Sequence, residues 1–461
     1  VADVERAART GKLRDVPGLG VRSEQRILEG IESLYRRSTR IPLGVAWPIA
    51  QELAEVLRRE LSVQTVEPVG SLRRMKDTIG DIDLLAACDQ PERATDAFVK
   101  LPQVAEVLSH GPTRASVRLH NGLQVDLRAL EPGRYGSLLQ YFTGSKDHNV
   151  ALRALAQKQG LSLSEYGFKR GGDEILCRTE EEVYSALGLP WIPPELREDR
   201  GEVQAAQAET LPKLVQPKDI RGDLHAHTDW SDAAATLGEM ATAARTLGYK
   251  YLVISDHTQS LGVANGLDVS RLREQRAEIA SLNEGLSEFR LLQGAEVEIR
   301  ADGSLDYPDD VLRELDVVIA SVHSALRQDQ ETITNRVVRA MRSSHVDILG
   351  HPSGRLLGQR EATHVDLDRV LQVAAETGTI LEVNATPNRL DLDDVHIRQA
   401  IELGVGLAIN SDAHSTGGLE TMVYGVAAAR RGWAEARHVV NTFPLPKLLR
   451  RLAQKEPSAR R

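Results

Sequence analysis

From Ile220 onward the chain repeats short apolar runs, and this repeat limits its fold more than any other feature. The runs are Ile220–Leu224, Tyr251–Ser255, Leu291–Val297, Val317–Val322, Val346–Gly350, Thr379–Val383 and Val405–Ile409. Each is of strand length, and segments long enough for a helix lie between them. A strand followed by a helix returns to pair in parallel with the next strand. Seven such units predict a parallel α/β barrel of the (β/α) kind, whose active site forms at the C-terminal strand ends.

The chemistry-bearing residues collect at those ends. His225 and His227 close the first run and point to one side by strand alternation. Asp232 follows in Trp230-Ser231-Asp232, His257 in Ser255-Asp256-His257 and Glu296 in Gly294-Ala295-Glu296. His323 follows Ala320-Ser321-Val322, His351 precedes Pro352, and Asp412 and His414 close Asn410-Ser411-Asp412-Ala413-His414. A lone histidine is more often a surface or core residue than a ligand. Nine imidazoles and carboxylates at successive strand ends point instead to a metal centre. The charge distribution agrees. Residues 1–191 hold 26 Lys+Arg and 26 Asp+Glu, so the net charge of −9 arises beyond them, where ten of the 13 histidines also lie.

This pattern resembles the PHP (polymerase and histidinol phosphatase) domain. The resemblance implies a distorted (β/α)7 barrel binding up to three Zn2+, Mn2+ or Fe2+ ions. His225, His227, Glu296 and Asp412 would hold the first. Glu296 would bridge to a second, held with His323 and His351. Asp232, His257 and His414 would hold the third. Ala233 stands where many relatives have Gly.

The first half carries a different set. Asp81 and Asp83 flank Ile82, so both carboxylates share one strand face. Asp126 lies in a second alternating strand, Gln124-Val125-Asp126-Leu127-Arg128. Three carboxylates on neighbouring strands suit two Mg2+ or Mn2+ ions, hard cations that prefer oxygen. Upstream, Gly70-Ser71 and Arg74 offer a backbone N–H, a hydroxyl and a guanidinium to triphosphate oxygens, and Gly80 leaves room for backbone contact. Asp-x-Asp alone is a weak signal. The ordered set Gly-Ser, Arg-Arg, Gly-Asp-Ile-Asp and Val-Asp-Leu resembles the nucleotidyltransferase superfamily.

Tyr141-Phe142-Thr143-Gly144-Ser145, with Asn149 and Arg153 after it, narrows the resemblance to family X DNA polymerases. By that resemblance Tyr141, Phe142, Thr143 and Gly144 lie against the incoming deoxyribose, while Asn149 and Arg153 touch the minor-groove side of the base pair. Near the N-terminus, Val16-Pro17-Gly18-Leu19-Gly20 reads as the turn of a helix-hairpin-helix. Gly18 and Gly20 there expose N–H groups to a DNA phosphate. A helix-like pattern is already under way at Val1, read as a truncated N-terminus, and the small family domain that grips a 5′-phosphate has no counterpart. Gln124 stands where animal relatives carry a basic residue.

The expected organisation is an α+β nucleotidyltransferase core with helical fingers joined to the barrel. It places a helix-hairpin-helix fingers subdomain at 1–45, a palm at 46–130, a thumb at 131–195, a charged, Pro-bounded linker at 196–219 and the PHP domain at 220–461. The resemblance implies a gap-filling DNA polymerase in repair with a metal-dependent 3′-5′ exonuclease. Its partners would be gapped or primed DNA and deoxynucleoside triphosphates. The competing reading keeps the polymerase and makes the barrel a structural or regulatory platform. Two cysteines, Cys88 and Cys177, fit a reducing compartment. With no apolar run of membrane-spanning length, a monomer in the nucleoid-associated cytoplasm is expected.

Overall fold

The computed structural model describes residues 7–8, 12–15, 20–21, 23–25, 27–28, 40–61 and 65–453. The seven apolar runs form seven parallel strands hydrogen-bonded in chain order: Gly222–Ala226, Tyr251–Ile254, Arg290–Glu298, Val317–Ser321, Ile348–Leu349, Ile380–Asn384 and Leu407–Asn410. A parallel bridge between Ala226 and Ala413 brings the first strand against the end of the last. Strand alternation divides the apolar residues. Tyr251, Val253, Val317, Ile319, Ile380 and Ala408 fill the barrel interior. Their neighbours Leu252, Ile254, Val318, Ala320, Leu381 and Leu407 pack beneath the surrounding helices. The inward parity continues along the chain to His257, Glu382, Asn384, Asn410 and Asp412. Helix Leu445–Ala453 seats Leu448 and Leu452 against the interior core. One mouth of the barrel is thus stopped by apolar side chains, and the polar groups gather at the other.

The first half is built on a five-stranded sheet. Its order is Thr65–Pro68, Ile82–Ala87, Gln124–Leu130, Arg114–Leu119, Val104–His110. Ile82–Ala87 and Gln124–Leu130 are parallel, and the other pairs are antiparallel. Helix Leu43–Leu61 buries Leu53 and Leu57 on this sheet, with Ile49 and Val56 partly buried beside them. Ile49, Leu53, Val56, Leu57 and Leu61 recur at helical spacing, which predicts this face; the side chain of Leu61 lies outside the described residues. The strands Val104–His110 and Arg114–Leu119 were not legible as strands. Val104–His110 is an edge strand that is mostly exposed, so its side chains need no apolar alternation.

Two stretches differ from expectation. The segment between Leu138 and Arg153 reads in the sequence as a turn-rich stretch leading into a helix capped near Gly160, whereas two helices form, Tyr135–Thr143 and Lys146–Lys158. Gly144 breaks them with a φ of 70°, and the Ser145 hydroxyl caps the second by accepting the His148 N–H at 3.2 Å. The expected linker is a packed structure. Leu196, Val203, Ala206 and Leu214 share a core with Leu152, Phe168 and Tyr184. Arg197 is fully buried and pairs with Glu180 at 2.6 Å. Its Pro and charged residues resembled a tether, but their partners are distant in sequence. Of the expected hairpin turn, Gly18 lies outside the described residues, and the Gly20 carbonyl accepts the Glu24 N–H at 3.0 Å.

The halves are fused at their cores. Leu390, on a barrel loop, is buried within the apolar cluster under the five-stranded sheet, and Leu357 and Tyr424 pack against it. A Cβ on Gly44 would lie 2.2 Å from Pro387 Cβ, so helix Leu43–Leu61 meets that loop without space for a side chain. Arg355 pairs with Asp77 at 3.1 Å.

Candidate active sites

The register of the parallel pair places Asp83 directly beside Asp126. Ile82 between the first two aspartates is fully buried, so Asp81 and Asp83 turn the other way. Asp81, Asp83 and Asp126 each offer a carboxylate oxygen, and these lie within 4.8 Å of one another. Burial first, then the charges of Asp81 and Asp126, push the Asp83 carboxyl up to about 7. Such mutual repulsion is what a divalent cation relieves, so the oxygen donors fit Mg2+ or Mn2+. Ser116 Oγ donates to Asp126, and Gln124 Nε2 donates to the same Oδ1 at 3.3 Å. Ser116 was not foreseen; it lies opposite Asp126 on the adjacent strand, a pairing that sequence alone does not give.

Gly70 opens a short helical turn over this site. Its φ is +63°, and a Cβ there would meet Asp83 Oδ2 at 2.7 Å, so only glycine fits. Ser71 lies in the same turn and Arg74 caps it. Arg74 Nε donates to Glu198 at 3.0 Å and its Nη1 to the Thr143 carbonyl at 2.5 Å. Thr143 and Gly144 are thereby brought against the Gly70–Arg74 turn, and Thr143 Oγ1 accepts Arg73 Nη1 at 2.6 Å. Tyr141 and Phe142 sit edge to face at 5.3 Å, and Arg128 lies over Phe142 at 4.6 Å. Gly80 is exposed beside Asp81. The Asn149 carboxamide is taken up within the protein, donating to the Tyr141 carbonyl and accepting from Gln140, both at 2.8 Å. The Arg153 side chain, one turn on, has no hydrogen-bond partner among the described residues.

Five of the barrel histidines converge on Glu296, which is buried. One of its oxygens faces His225, His227 and His257 at 3.4, 3.6 and 3.0 Å. The other faces His323 and His351 at 3.1 and 2.8 Å. Asp412 lies 3.6 Å from His225 and 3.2 Å from His227. Asp232 faces His257 at 3.6 Å and His414 at 3.5 Å. His227 also lies within ligand reach of the Asp232, His257 and His414 group, and His257 within reach of Glu296 and His323. The clusters therefore share imidazoles, where the expected sets shared only Glu296. Burial raises Asp232, but His414, His257 and His227 outweigh it and bring the carboxyl down to about 2. Burial lowers His323, yet Glu296 and Glu298 lift it to about 9. His225 Nε2, both His227 nitrogens and His257 Nδ1 are buried without a hydrogen-bond partner. Orphaned imidazole nitrogens facing carboxylates fit borderline transition-metal ions.

A further layer of carboxylates was missed in the sequence. Glu382 is fully buried and lies 2.7 Å from His225 Nδ1; it also accepts the His351 N–H at 2.7 Å. Asn384 and Asn410 donate to the same carboxylate at 3.2 and 2.9 Å. Glu298 does the same for His323, 2.8 Å from Nδ1. A carboxylate on Nδ1 fixes the tautomer and leaves Nε2 free for an ion. The available signal was parity, since Glu382 shares the inward face with Asn384 and Glu298 lies two residues past Glu296.

Comparison with known proteins agrees with this division. Residues 138–198 match the DNA polymerase beta thumb family, and residues 223–386 match the PHP domain family. A Bacillus subtilis (strain 168) protein named DNA polymerase/3′-5′ exonuclease PolX is 41% identical over 446 residues, covering 96% of this chain and 78% of the relative. A Thermoanaerobacter sp. (strain X514) protein named as a probable phosphatase is 30% identical over 204 residues, 42% of this chain and 78% of its own length. A Leishmania infantum polymerase beta structure, a ternary complex, aligns at 23% identity over 42% of this chain and 88% of that one, with a TM-score of 0.32.

Proposed function

The chain belongs to the PolX family of DNA polymerase/3′-5′ exonucleases, and we propose that its two acidic sites divide those reactions between them. The observation that carries this reading is the pair of separate ligand clusters, one of oxygen donors alone and one rich in imidazole. Asp81, Asp83 and Asp126 form the polymerase centre. Two Mg2+ or Mn2+ ions bound there would supply charge compensation and Lewis acidity for nucleotidyl transfer. The chain's own residues do the rest. Gly70, Ser71, Gly80 and Arg74 take triphosphate oxygens. Tyr141, Phe142, Thr143 and Gly144 lie along the sugar. Arg153 is free to reach the minor groove, whereas Asn149 reaches it only by giving up a bond to Tyr141 or Gln140. Gly18 and Gly20 grip duplex phosphate.

The barrel cluster processes 3′-ends of DNA. His225, His227, Asp232, His257, Glu296, His323, His351, Asp412 and His414 would hold up to three Zn2+, Mn2+ or Fe2+ ions, which would supply Lewis acidity at a phosphodiester. Glu382 and Glu298 hold two of those imidazoles in one tautomer and orientation. The substrates are gapped or primed DNA and deoxynucleoside triphosphates. Both sites are complete within one chain, which supports action as a monomer, and the work belongs to DNA repair in the cytoplasm at the nucleoid. No helix among the described residues is long and apolar enough to cross a membrane. We divide the chain into fingers 1–45, palm 46–130, thumb 131–195, connector 196–219 and PHP domain 220–461.

A platform role for the barrel has its own support in Leu390, which fills the palm core from a barrel loop. One 5′-labelled primer, assayed for extension with nucleotides and for shortening without them, tests both activities together.

A further inference from the structure

Two adjacent arginines end the barrel helix Met422–Arg431, and each reaches a carboxylate where the thumb meets the connector. Arg430 Nε donates to Glu195 at 2.7 Å and its Nη1 to the Val215 carbonyl at 3.0 Å. Arg431 reaches further. Its Nη1 donates to Glu198 at 3.0 Å and to the Arg74 carbonyl at 2.7 Å, and its Nη2 to Asp394 at 2.5 Å. Glu198 is the carboxylate that accepts Arg74 Nε, with Lys76 Nζ at 3.9 Å. Arg74 is therefore held at its backbone by Arg431 and at its side chain by a carboxylate that Arg431 also holds. Among the described residues its Nη2 has no hydrogen-bond partner. Arg74, Lys76 and Arg431 surround Glu198, and Arg431 also meets Asp394, so three cations face two carboxylates and positive charge is left over beside the Gly70–Ser71 turn.

We propose that Arg431, a residue of the barrel, positions Arg74 for the incoming triphosphate, with Glu198 as the connecting carboxylate. The inference rests on the reading that Arg74 grips nucleotide phosphate. A free arginine side chain gives up rotamer freedom when it is fixed. Fixing Arg74 before the nucleotide arrives removes that cost from binding. Without Arg431, Glu198 loses a partner, Asp394 keeps only Arg200 at 3.1 Å, and the Arg74 turn loses a donor. Nucleotide affinity in the polymerase half then depends on how the barrel is docked.

The test is nucleotide titration at fixed primed DNA, using the full chain and four variants. R431A should raise the apparent KM for nucleotide by about fivefold or more, the usual size of a coupling between sites, with little change in kcat. R431K should recover part of the loss. R430A breaks the neighbouring ion pair of the same interface and should leave the KM unchanged. R74A should raise the KM at least as far as R431A. Shortening of a labelled 3′-end reports that the barrel remains folded. An unchanged KM in R74A overturns the nucleotide reading of Arg74, and the inference with it. If R74A raises the KM but R431A behaves like R430A, Arg431 only holds the interface and the inference alone falls. Should R431A fail to fold, E198Q keeps the shape and removes the charge; it should raise the KM likewise, and an unchanged value overturns the inference.

Discussion

Asp83 is partly buried beside two other carboxylates, and burial first, then their charges, push its carboxyl up to about 7. Asp83→Ala relieves the repulsion, so the variant should fold at least as well. It also removes an oxygen that a cation needs, and primer extension should fall on the order of a thousandfold. Shortening of the labelled 3′-end should persist; undiminished extension would remove Asp83 from the centre. Glu382 is the corresponding test in the barrel. Glu382→Gln keeps the shape but weakens the hold on His225 Nδ1, and metal affinity should fall about 10- to 100-fold. Metal retained against a graded chelator measures this directly, and wild-type retention would make Glu382 a packing residue. The histidine ligands were legible because they follow apolar runs. Glu382 lies inside its run, and although alternation puts it on one face with Asn384, only the barrel shows that this face turns inward.

Elements explain why the thumb holds its shape. His148, on helix Lys146–Lys158, is fully buried between Glu202, 2.6 Å from Nδ1, and the Tyr184 hydroxyl, 3.0 Å from Nε2. It pins helix Glu202–Gln207 of the connector to the thumb. Burial lowers the His148 pKa and outweighs Glu202, so the imidazole is neutral and donates from Nδ1. The unfolded chain then binds more protons than the folded one below the ordinary histidine range of about 6.5. This contribution is full above that range and is lost as pH falls from it toward the depressed folded value. Thermal melting from pH 8 to 5 should show a steeper loss for wild type than for H148Q; parallel curves would mean that His148 titrates normally. The helix Lys146–Lys158 was foreseen from its end near Gly160. Its neighbour Tyr135–Thr143 was not, because a one-residue break at Gly144 resembles an ordinary turn.

At the scale of the molecule, the two sites use different ligands but share a frame. His225→Ala with His227→Ala leaves that part of the cluster with Glu296 and Asp412, too few donors for a borderline ion. Shortening of the primer in Mn2+ should fall to background while extension continues, since the aspartate site draws on oxygen alone. Wild-type shortening in the double variant would place the nuclease elsewhere. A parallel fall in extension would show that the cluster also supports the polymerase half. That second outcome has a physical route, because the barrel loop carrying Pro387 and Leu390 packs into the palm.

The sequence alone determined the features that arise from local periodicity. Alternation along a strand fixed the side on which Asp81 and Asp83 lie, and the same rule lined up His225 and His227. The apolar runs fixed seven strands and their order, since parallel units joined by helices return to neighbouring positions. Tertiary structure decided the partners. Glu382 meets His225 across 157 residues and Arg431 meets Glu198 across 233. The proline-bounded stretch that read as a tether became a buried connector because Arg197 found Glu180. Periodicity records the face a side chain presents; which charge it meets there depends on how distant elements pack, and no local pattern carries that information.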